Sequence, residues 1–584
     1  MTKQIMQDIK GNAMKSLMLT VAAVIALLPL GAAEAKRDFY PVTVEVECSS
    51  PEEAQKAQLK FLPYPPGKKV AFSCRWDDSN KNNARMKKLM AKYGFKGTFY
   101  LVNISSEYRE NILPELLADG CTIGNHTLHH FYLPLMTPNS VNNEILGARI
   151  LHESISDRPE NAFVFPFGKI AWPFLTDSEQ IISTCMRRAG VLGGPDRGSF
   201  QLNKLPGNEF YSPEGKLVCP GDRDTKTEKF DFDVKRFLPK EGQTAHLTLG
   251  VHVWHSDKDF QTLEQSLKKY ANRPDWWYCN ENEFLAAAKM FRHARVKGKK
   301  VEGKKVFFTV ELPYPEELGS ETPLWAECAG KAVEIRHTRK VPQVIDAVTG
   351  EGKSAGFPGV KAQITLEKGK VLRLKIANTG AVLEDVRITL RLPPVFRQET
   401  LFAGEAQIKG EYAREWRLEL NPAVDEAGPQ LTAAQIDFTR QGVPGRLWVS
   451  LLQEKAHPAG AVLPGVYSLK EFSGSELALL SRPETKLDPK VFVPLQHDTR
   501  LRSCVYKMPR GVKQPMTVIV DFPGNGKMTL KASNMRKGIS DTFYINGRKG
   551  TFKNGIAKTD KVSGPCRVVI NMKSHFVFQA LPDK

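Results

Sequence analysis

Along residues 66 to 292, short apolar runs alternate with segments whose apolar positions recur at helical spacing. Lys69 to Cys74 carries Val70, Ala71 and Phe72 in unbroken succession, as a strand buried on both faces does. Asn82 to Tyr93 has helical periodicity and stops at Gly94, which suits the left-handed position that closes a helix. Thr98 to Val102 reads as a second strand, Ile112 to Ala118 as a helix, and Cys121 to Ile123 as a third strand after the Asp119–Gly120 turn. Thr137 is placed to cap a helix running to about Ile155, Phe163 to Phe165 is a strand, and Ser178 to Ala189 is a helix closed by Gly190. A β-rich run from His246 to Trp254, a strand at Trp276–Cys279 and helical patterns at Phe260–Tyr270 and Glu283–Phe291 complete the alternation. This order predicts a parallel α/β barrel or sheet.

After Arg292 the pattern changes. The lysine-rich stretch Arg295–Lys300 reads as a link, and strands without helices follow it. Val386, Ile388, Leu390 and Leu392 alternate with Asp385, Arg387, Thr389 and Arg391, the signature of a half-buried strand. Leu372 to Ile376 alternates likewise, and Asn378-Thr379-Gly380 supplies a turn between the two. Residues 298–400 are expected to form an immunoglobulin-like β-sandwich. Residues 401–584 are expected to be a further β-rich domain, with strands at Met516–Asp521, Lys527–Ala532 and Cys566–Met572 and a turn at Pro523–Gly526.

The N-terminus adds a targeting segment. Met14-Lys15 opens a short basic region, Leu17 to Leu30 carries no charge, and Ala33-Glu34-Ala35 offers small residues where a signal peptidase reads. Residues 1–35 are therefore expected to be a signal peptide, with Met14 as a start site, and the α/β domain to occupy 36–295. No later stretch is long and apolar enough to span a bilayer. The expected location is outside the cytoplasm: periplasmic, cell-surface or secreted. The nine cysteines include no C-x-x-C pair and no zinc-finger spacing. The charge of +19 is unevenly spread: residues 501–584 hold 16 Lys and Arg against 4 Asp, a local +12. In an exported protein such a basic face points to an anionic glycan or surface rather than to nucleic acid.

Three clusters stand at the C-terminal ends of the expected parallel strands, where such domains build their sites. In Trp76-Asp77-Asp78-Ser79, two adjacent carboxylates that lose hydration call for a cation and a proton-transfer role, although Asp-Asp-Ser is also ordinary turn chemistry. In His126-Thr127-Leu128-His129-His130, the first and last histidines are four apart and face one way in a helical turn. Two such nitrogens and one carboxylate make a three-ligand site with room for water, the layout of a catalytic zinc; His129 competes with His130 for the second place. In Val251-His252-Val253-Trp254-His255, a strand-end histidine is a candidate general acid, and alternation puts His252 and His255 on opposite faces.

These residues resemble the polysaccharide deacetylase (NodB-homology, carbohydrate esterase family 4-like) domain. Its T-F-D-D-G motif corresponds to Arg75–Ser79, its H-[ST]-x-x-H motif to His126, Thr127 and His130, its R-P-P-Y-G motif to Val164–Gly168, and its late apolar strand and histidine to Val253-Trp254-His255. The resemblance implies a distorted (β/α) barrel over residues 66–292. It implies one divalent metal, zinc, on Asp78, His126 and His130, with Asp77 as general base and His255 as general acid. A backbone N–H near Phe167 would serve the oxyanion, and Trp76, Phe167 and Trp254 would line a sugar groove. Val164 stands where the family has an arginine that orients the base, leaving Arg75 or Lys169 to replace it; Asp196 is the candidate for the acid that supports the histidine.

The expected activity is hydrolysis of N-acetyl groups on an amino-sugar polysaccharide or oligosaccharide. O-acetyl removal would use the same groups. A metal-containing glycan-binding protein without catalysis is the reading from another class, and retention of Asp77 and His255 argues against it.

Overall fold

The computed structural model describes residues 39–583 apart from 173, 194–222, 226–229, 242, 251, 254–255, 349–358, 458–462, 464, 496–497, 503–504, 508–511, 513, 535–538 and 574. The proposed signal peptide, Asp196, Trp254 and His255 lie outside the described residues.

The chain divides into two compact units. The first joins residues up to Ala57 with His293–Tyr314. Its core is an antiparallel three-stranded sheet in which Phe39–Glu47 and Arg295–Glu302 flank Lys305–Pro313. The lysine-rich stretch read as a link is thus a strand. It lies at the sheet edge, where exposed lysines keep an open edge from pairing with other chains.

The second unit comprises residues 58–292 and 315–584 and contains the α/β region. Its parallel strands are β1 (Val70–Asp77), β2 (Gly97–Leu101), β3 (Thr122–Asn125), β4 (Arg223–Thr225), β5 (Ala245–Leu249) and β6 (Trp276–Tyr278). They run in the order β3-β2-β1-β5-β4, with β6 also on β1. Parallel bridges from Asn125 to Phe163 and from Ala162 to Gly193 extend this row beyond β3. The expected strand at Phe163–Phe165 is thus reduced to bridge residues. Five helices matter here: α1 (Asn83–Lys92), α2 (Pro138–Ser156), α3 (Ser178–Ala189), α4 (Asp257–Tyr270) and α5 (Glu281–His293). This is the expected distorted (β/α) arrangement. Every residue of β1 is buried, because helices and neighbouring strands cover both of its faces.

Local signals place the helices. Thr137 caps α2 by accepting from the Ser140 N–H, and Pro138 fills the first turn, where its missing N–H costs nothing. Ser256 and Asp259 form a reciprocal capping box on α4.

The same unit contains a β-sandwich. One sheet holds Val360–Glu367, Val371–Asn378 and Glu411–Arg417; the other holds Gln343–Val348, Leu383–Arg391, Thr400–Ile408, Gly428–Arg440 and Val443–Lys455. Leu372, Leu374 and Ile376 meet Ile388, Leu390, Ile436 and Leu447 in a common core. The alternation marked the inward residues correctly, but two expectations need correction. The strands extend to Lys455, beyond the boundary at 400. Asn378–Gly380 does not close a hairpin: the strands before and after it belong to different sheets, so the turn crosses the sandwich.

The last part of the chain is again β-rich, with six-stranded and four-stranded sheets around a core that includes Val518, Leu530, Val568 and Phe578. The expected turn at Pro523–Gly526 is strand, paired in register with Val562–Pro565. Among the described residues no helix is long and apolar enough to cross a membrane. Seven of the nine cysteines are described, and all seven are buried; Cys219 and Cys504 lie outside the described residues.

Candidate metal centre and active site

The end of β1 sets up the first half of the site. Side chains two apart in a strand share a face, and Arg75 uses this to grip Asp77: its Nε donates to Oδ1 at 3.0 Å and its Nη2 to Oδ2 at 2.7 Å. Both side chains are buried. Burial alone would push the Asp77 carboxyl up. The charge and hydrogen bonds of Arg75 outweigh it and hold the carboxyl below the ordinary aspartate range. Arg75 thus orients this carboxylate, while Lys169 makes no described contact with it. At the next residue the strand ends: Asp78 takes the left-handed conformation, with φ 70°.

The second half comes from the end of β3. His126 is buried, and its Nδ1 lies 2.9 Å from the Val164 carbonyl oxygen. A carbonyl only accepts, so Nδ1 carries the proton and Nε2 presents its lone pair. Val164, at the position of the resembled family's arginine, therefore contributes through its backbone. His130 arrives by a different route from the one expected. The segment after Asn125 is not helical; Thr127 and His130 sit at φ 71° and 57°. A β-branched residue pays steric strain there, and such strain persists only where neighbours enforce it. Asn125 Oδ1 accepts from the Thr127 N–H at 3.0 Å, and Thr127 Oγ1 accepts from the His130 N–H at 3.1 Å, which together lock the bend. His129 turns the other way, with Nδ1 2.7 Å from Glu144 Oε1.

Asp78, His126 and His130 converge. Asp78 Oδ1 lies 3.6 Å from His126 Nε2 and 3.4 Å from His130 Nε2, and the two nitrogens are 3.0 Å apart. A tetrahedral ion with bonds of about 2.1 Å separates its ligands by roughly 3.4 Å, so these donors fit a divalent metal. The lone pair of His126 Nε2 points at His130 Nε2, where it can accept an N–H or share a cation. Burial pushes both imidazoles below the ordinary histidine range, opposed by Asp77 at His126 and by Asp78 at His130, and so favours the neutral, ligating form. Asp78 and His130 are partly exposed, which opens one side of the triad to solvent.

His252 also reaches the site: its Nε2 lies 3.6 Å from Asp78 Oδ2. Gly250 makes this path possible. Its φ is 104°, and a Cβ there would stand 2.5 Å from the Trp76 ring.

Of the aromatic residues, Phe167 is 41% exposed, lies 4.5 Å from His130 and stacks on Tyr132 at 3.8 Å. Trp76 does not line a groove. It is wholly buried in the barrel core, with its indole N–H 3.1 Å from Met90 Sδ, because a strand covered on both faces has no solvent side. The sequence reading missed Tyr132, whose only signal was its place two residues beyond His130.

Residues 65–182 match the family model for polysaccharide deacetylase. The matched stretch holds Asp77, Asp78, His126 and His130, the side chains of the candidate site. No curated protein matches the chain. Among solved structures it is similar to the Xyl-CE4 domain of a multidomain xylanase from the hindgut metagenome of Trinervitermes trinervoides (14% identity, 37% of this chain and 89% of that one, TM-score 0.25). It is also similar to peptidoglycan deacetylase PdaC from Bacillus subtilis (14% identity, 39% and 94%, TM-score 0.25). A third is BA3943, a CE4 family pseudoenzyme from Bacillus anthracis (14% identity, 38% and 66%, TM-score 0.23).

One prediction arises from the Arg75–Asp77 pair. In Arg75→Met, burial acts on Asp77 against only the smaller pull of His126 and His252, and its carboxyl rises. If Asp77 acts as the general base in its ionised form, as the resemblance implies, the acid limb of kcat/KM is expected to move to higher pH while the alkaline limb stays. An acid limb that does not move would show that Arg75 does not hold the base ionised.

Proposed function

We propose that the protein is an exported, zinc-dependent deacetylase that removes N-acetyl groups from an amino-sugar polysaccharide of the cell envelope or its surroundings. The observation that carries this reading is the Asp78–His126–His130 triangle beside a carboxylate that Arg75 keeps ionised. Asp78, His126 and His130 would hold the zinc, which when bound supplies Lewis acidity to water and to the acyl oxygen. Asp77 accepts a proton from the water that attacks the acetamide carbon. The backbone N–H near Phe167 donates to the oxyanion that develops. His255 then protonates the departing amine nitrogen, since an amide anion does not leave; His252 is its rival for that proton. Acetate and the free amino sugar result. The exposed Phe167 ring, backed by Tyr132, offers a face for a sugar ring to stack on. Trp254 would extend that groove.

Acetate release is the test, measured over N-acetylated and O-acetylated glycans with added Zn²⁺ and with chelator. Chelator-sensitive release from N-acetylated substrates is expected. Release from O-acetylated substrates alone would make the protein an esterase, and no release from either would leave a glycan-binding protein.

Residues 501–584 are proposed to hold the enzyme on an anionic glycan. Arg548, Lys549 and Lys553 are exposed there. Scattered exposed charges are screened within about 8 Å at physiological salt, so only a patch acting together would bind. Changing these three residues to Glu is expected to lower retention on a sulfated or uronic-acid glycan severalfold, and salt should lower it in the parent. Unchanged retention would leave the charge as a solubility feature.

A further inference from the structure

The loop that carries His130 is fixed differently on its two sides. Before His130 the barrel holds it. The Asn103 N–H donates to the Leu128 carbonyl, and the Leu128 N–H to the Glu144 carbonyl. Glu144 Oε2 accepts from the His129 N–H at 2.9 Å. After His130 the chain runs through Phe131, Tyr132 and a single turn at Leu133–Leu135 before α2 begins. This second side is held by residues 498–502, more than 360 positions later in sequence.

The contact is built in layers. Met136 and Leu501 form an antiparallel bridge. The Thr137 N–H donates to the Arg500 carbonyl at 2.8 Å, and the Arg502 N–H to the Leu135 carbonyl at 3.1 Å. Leu501 is buried in one apolar cluster with Leu133, Leu135, Met136 and Trp172. Arg502 reaches Asp177 at 2.7 Å, and the Arg500 guanidinium and Lys507 ammonium lie 4.6 and 4.8 Å from the centre of the Phe131 ring. The 498–502 segment is itself pinned: Asp498 accepts from both Nε and Nη2 of Arg500, and His457 Nε2 lies 2.9 Å from the Leu501 carbonyl oxygen.

We infer that residues 498–502 are a positioning strap for the metal-binding loop, so that the ligand geometry at His130 depends on the C-terminal β-region. The strap touches neither the triad nor a substrate. It acts through Leu135, Met136 and Phe131 on the chain that leaves His130, the side of the loop that the bonds from Asn125 and Thr127 do not hold. Groups that orient metal ligands from behind typically change metal affinity about 10- to 100-fold when removed. The ion pair from Arg502 to the exposed Asp177 contributes little by itself. The buried Leu501 and the backbone bonds beside it are the effective part. This inference rests on the reading of Asp78, His126 and His130 as a metal site.

The test uses the full chain with Co²⁺ as probe, because its visible absorption reports ligand geometry without any substrate. Leu501→Ala is expected to weaken Co²⁺ binding roughly tenfold and to change the absorption spectrum, with Leu501→Met restoring both. Arg502→Ala, which leaves the apolar cluster intact, is expected to produce a smaller change in the same direction. Wild-type affinity and spectrum in both Leu501→Ala and Arg502→Ala would overturn the strap. Failure of the parent protein to bind Co²⁺ at all would instead overturn the metal site, which keeps the two outcomes distinct.

Discussion

His126→Ala and His130→Ala are each expected to remove stoichiometric metal and to lower acetate release on the order of 10³-fold or more. Each substitution deletes one of three donors, and a two-ligand remnant does not hold a divalent ion against water. His126 should be the more severe. Its side chain is buried, its tautomer is fixed by the Val164 carbonyl, and its loss leaves an unpaired acceptor and a cavity beside Asp77. His129→Ala serves as the control. That ring faces Glu144 rather than Asp78, so metal content should be unchanged, with at most a modest loss of stability. Metal analysis of the purified variants decides the matter. Loss of metal in His129→Ala with retention in His130→Ala would reverse the ligand assignment.

Asp77→Asn is expected to keep the metal and lose turnover, on the order of 10²-fold or more, because the base is removed while the three donors remain. The amide is nearly isosteric, but it can no longer accept from Arg75 through both atoms, so part of the effect belongs to an unbalanced buried guanidinium. The split between metal content and kcat separates these contributions. Normal metal with low kcat marks a lost base, whereas low metal with low kcat marks a collapsed site. His255→Ala and His252→Ala extend the same comparison. Whichever lowers kcat with metal retained is the proton donor, and loss of metal in His252→Ala would make it a ligand instead.

The site was legible in the sequence to an uneven degree. The candidates were legible because strand ends collect catalytic groups, and the resemblance to the polysaccharide deacetylase domain then singled out Asp78, His126 and His130 from neighbours such as Asp77 and His129. The backbone that joins the two histidines could not be read. A helical turn and a bend through left-handed Thr127 and His130 both bring i and i+4 side chains together, and the spacing alone does not separate them. The Arg75–Asp77 grip needed only the period of two within β1. Trp76 was misplaced for a related reason: in a strand buried on both faces, alternation carries no information about exposure.

The β-regions repeat this lesson. Inward residues of the sandwich were readable from alternation, but their partners were not, since pairing depends on contacts far apart in sequence. Lysines at Lys297, Lys299 and Lys300 suggested a link and turned out to decorate an edge strand. The strap at residues 498–502 leaves no periodic trace, because a single bridge and a few backbone bonds impose no pattern on five residues.

The most direct test of a metal-dependent deacetylase is a stoichiometric titration of the full-length protein. Metal is stripped by chelator and Zn²⁺ returned in known amounts while acetate release from an N-acetylated oligosaccharide is followed. Release is expected to fall to background in the stripped protein and to recover in proportion to added Zn²⁺, reaching its plateau near one equivalent. Undiminished release from the stripped protein, or a protein that binds one equivalent of Zn²⁺ and still releases no acetate, would contradict the account.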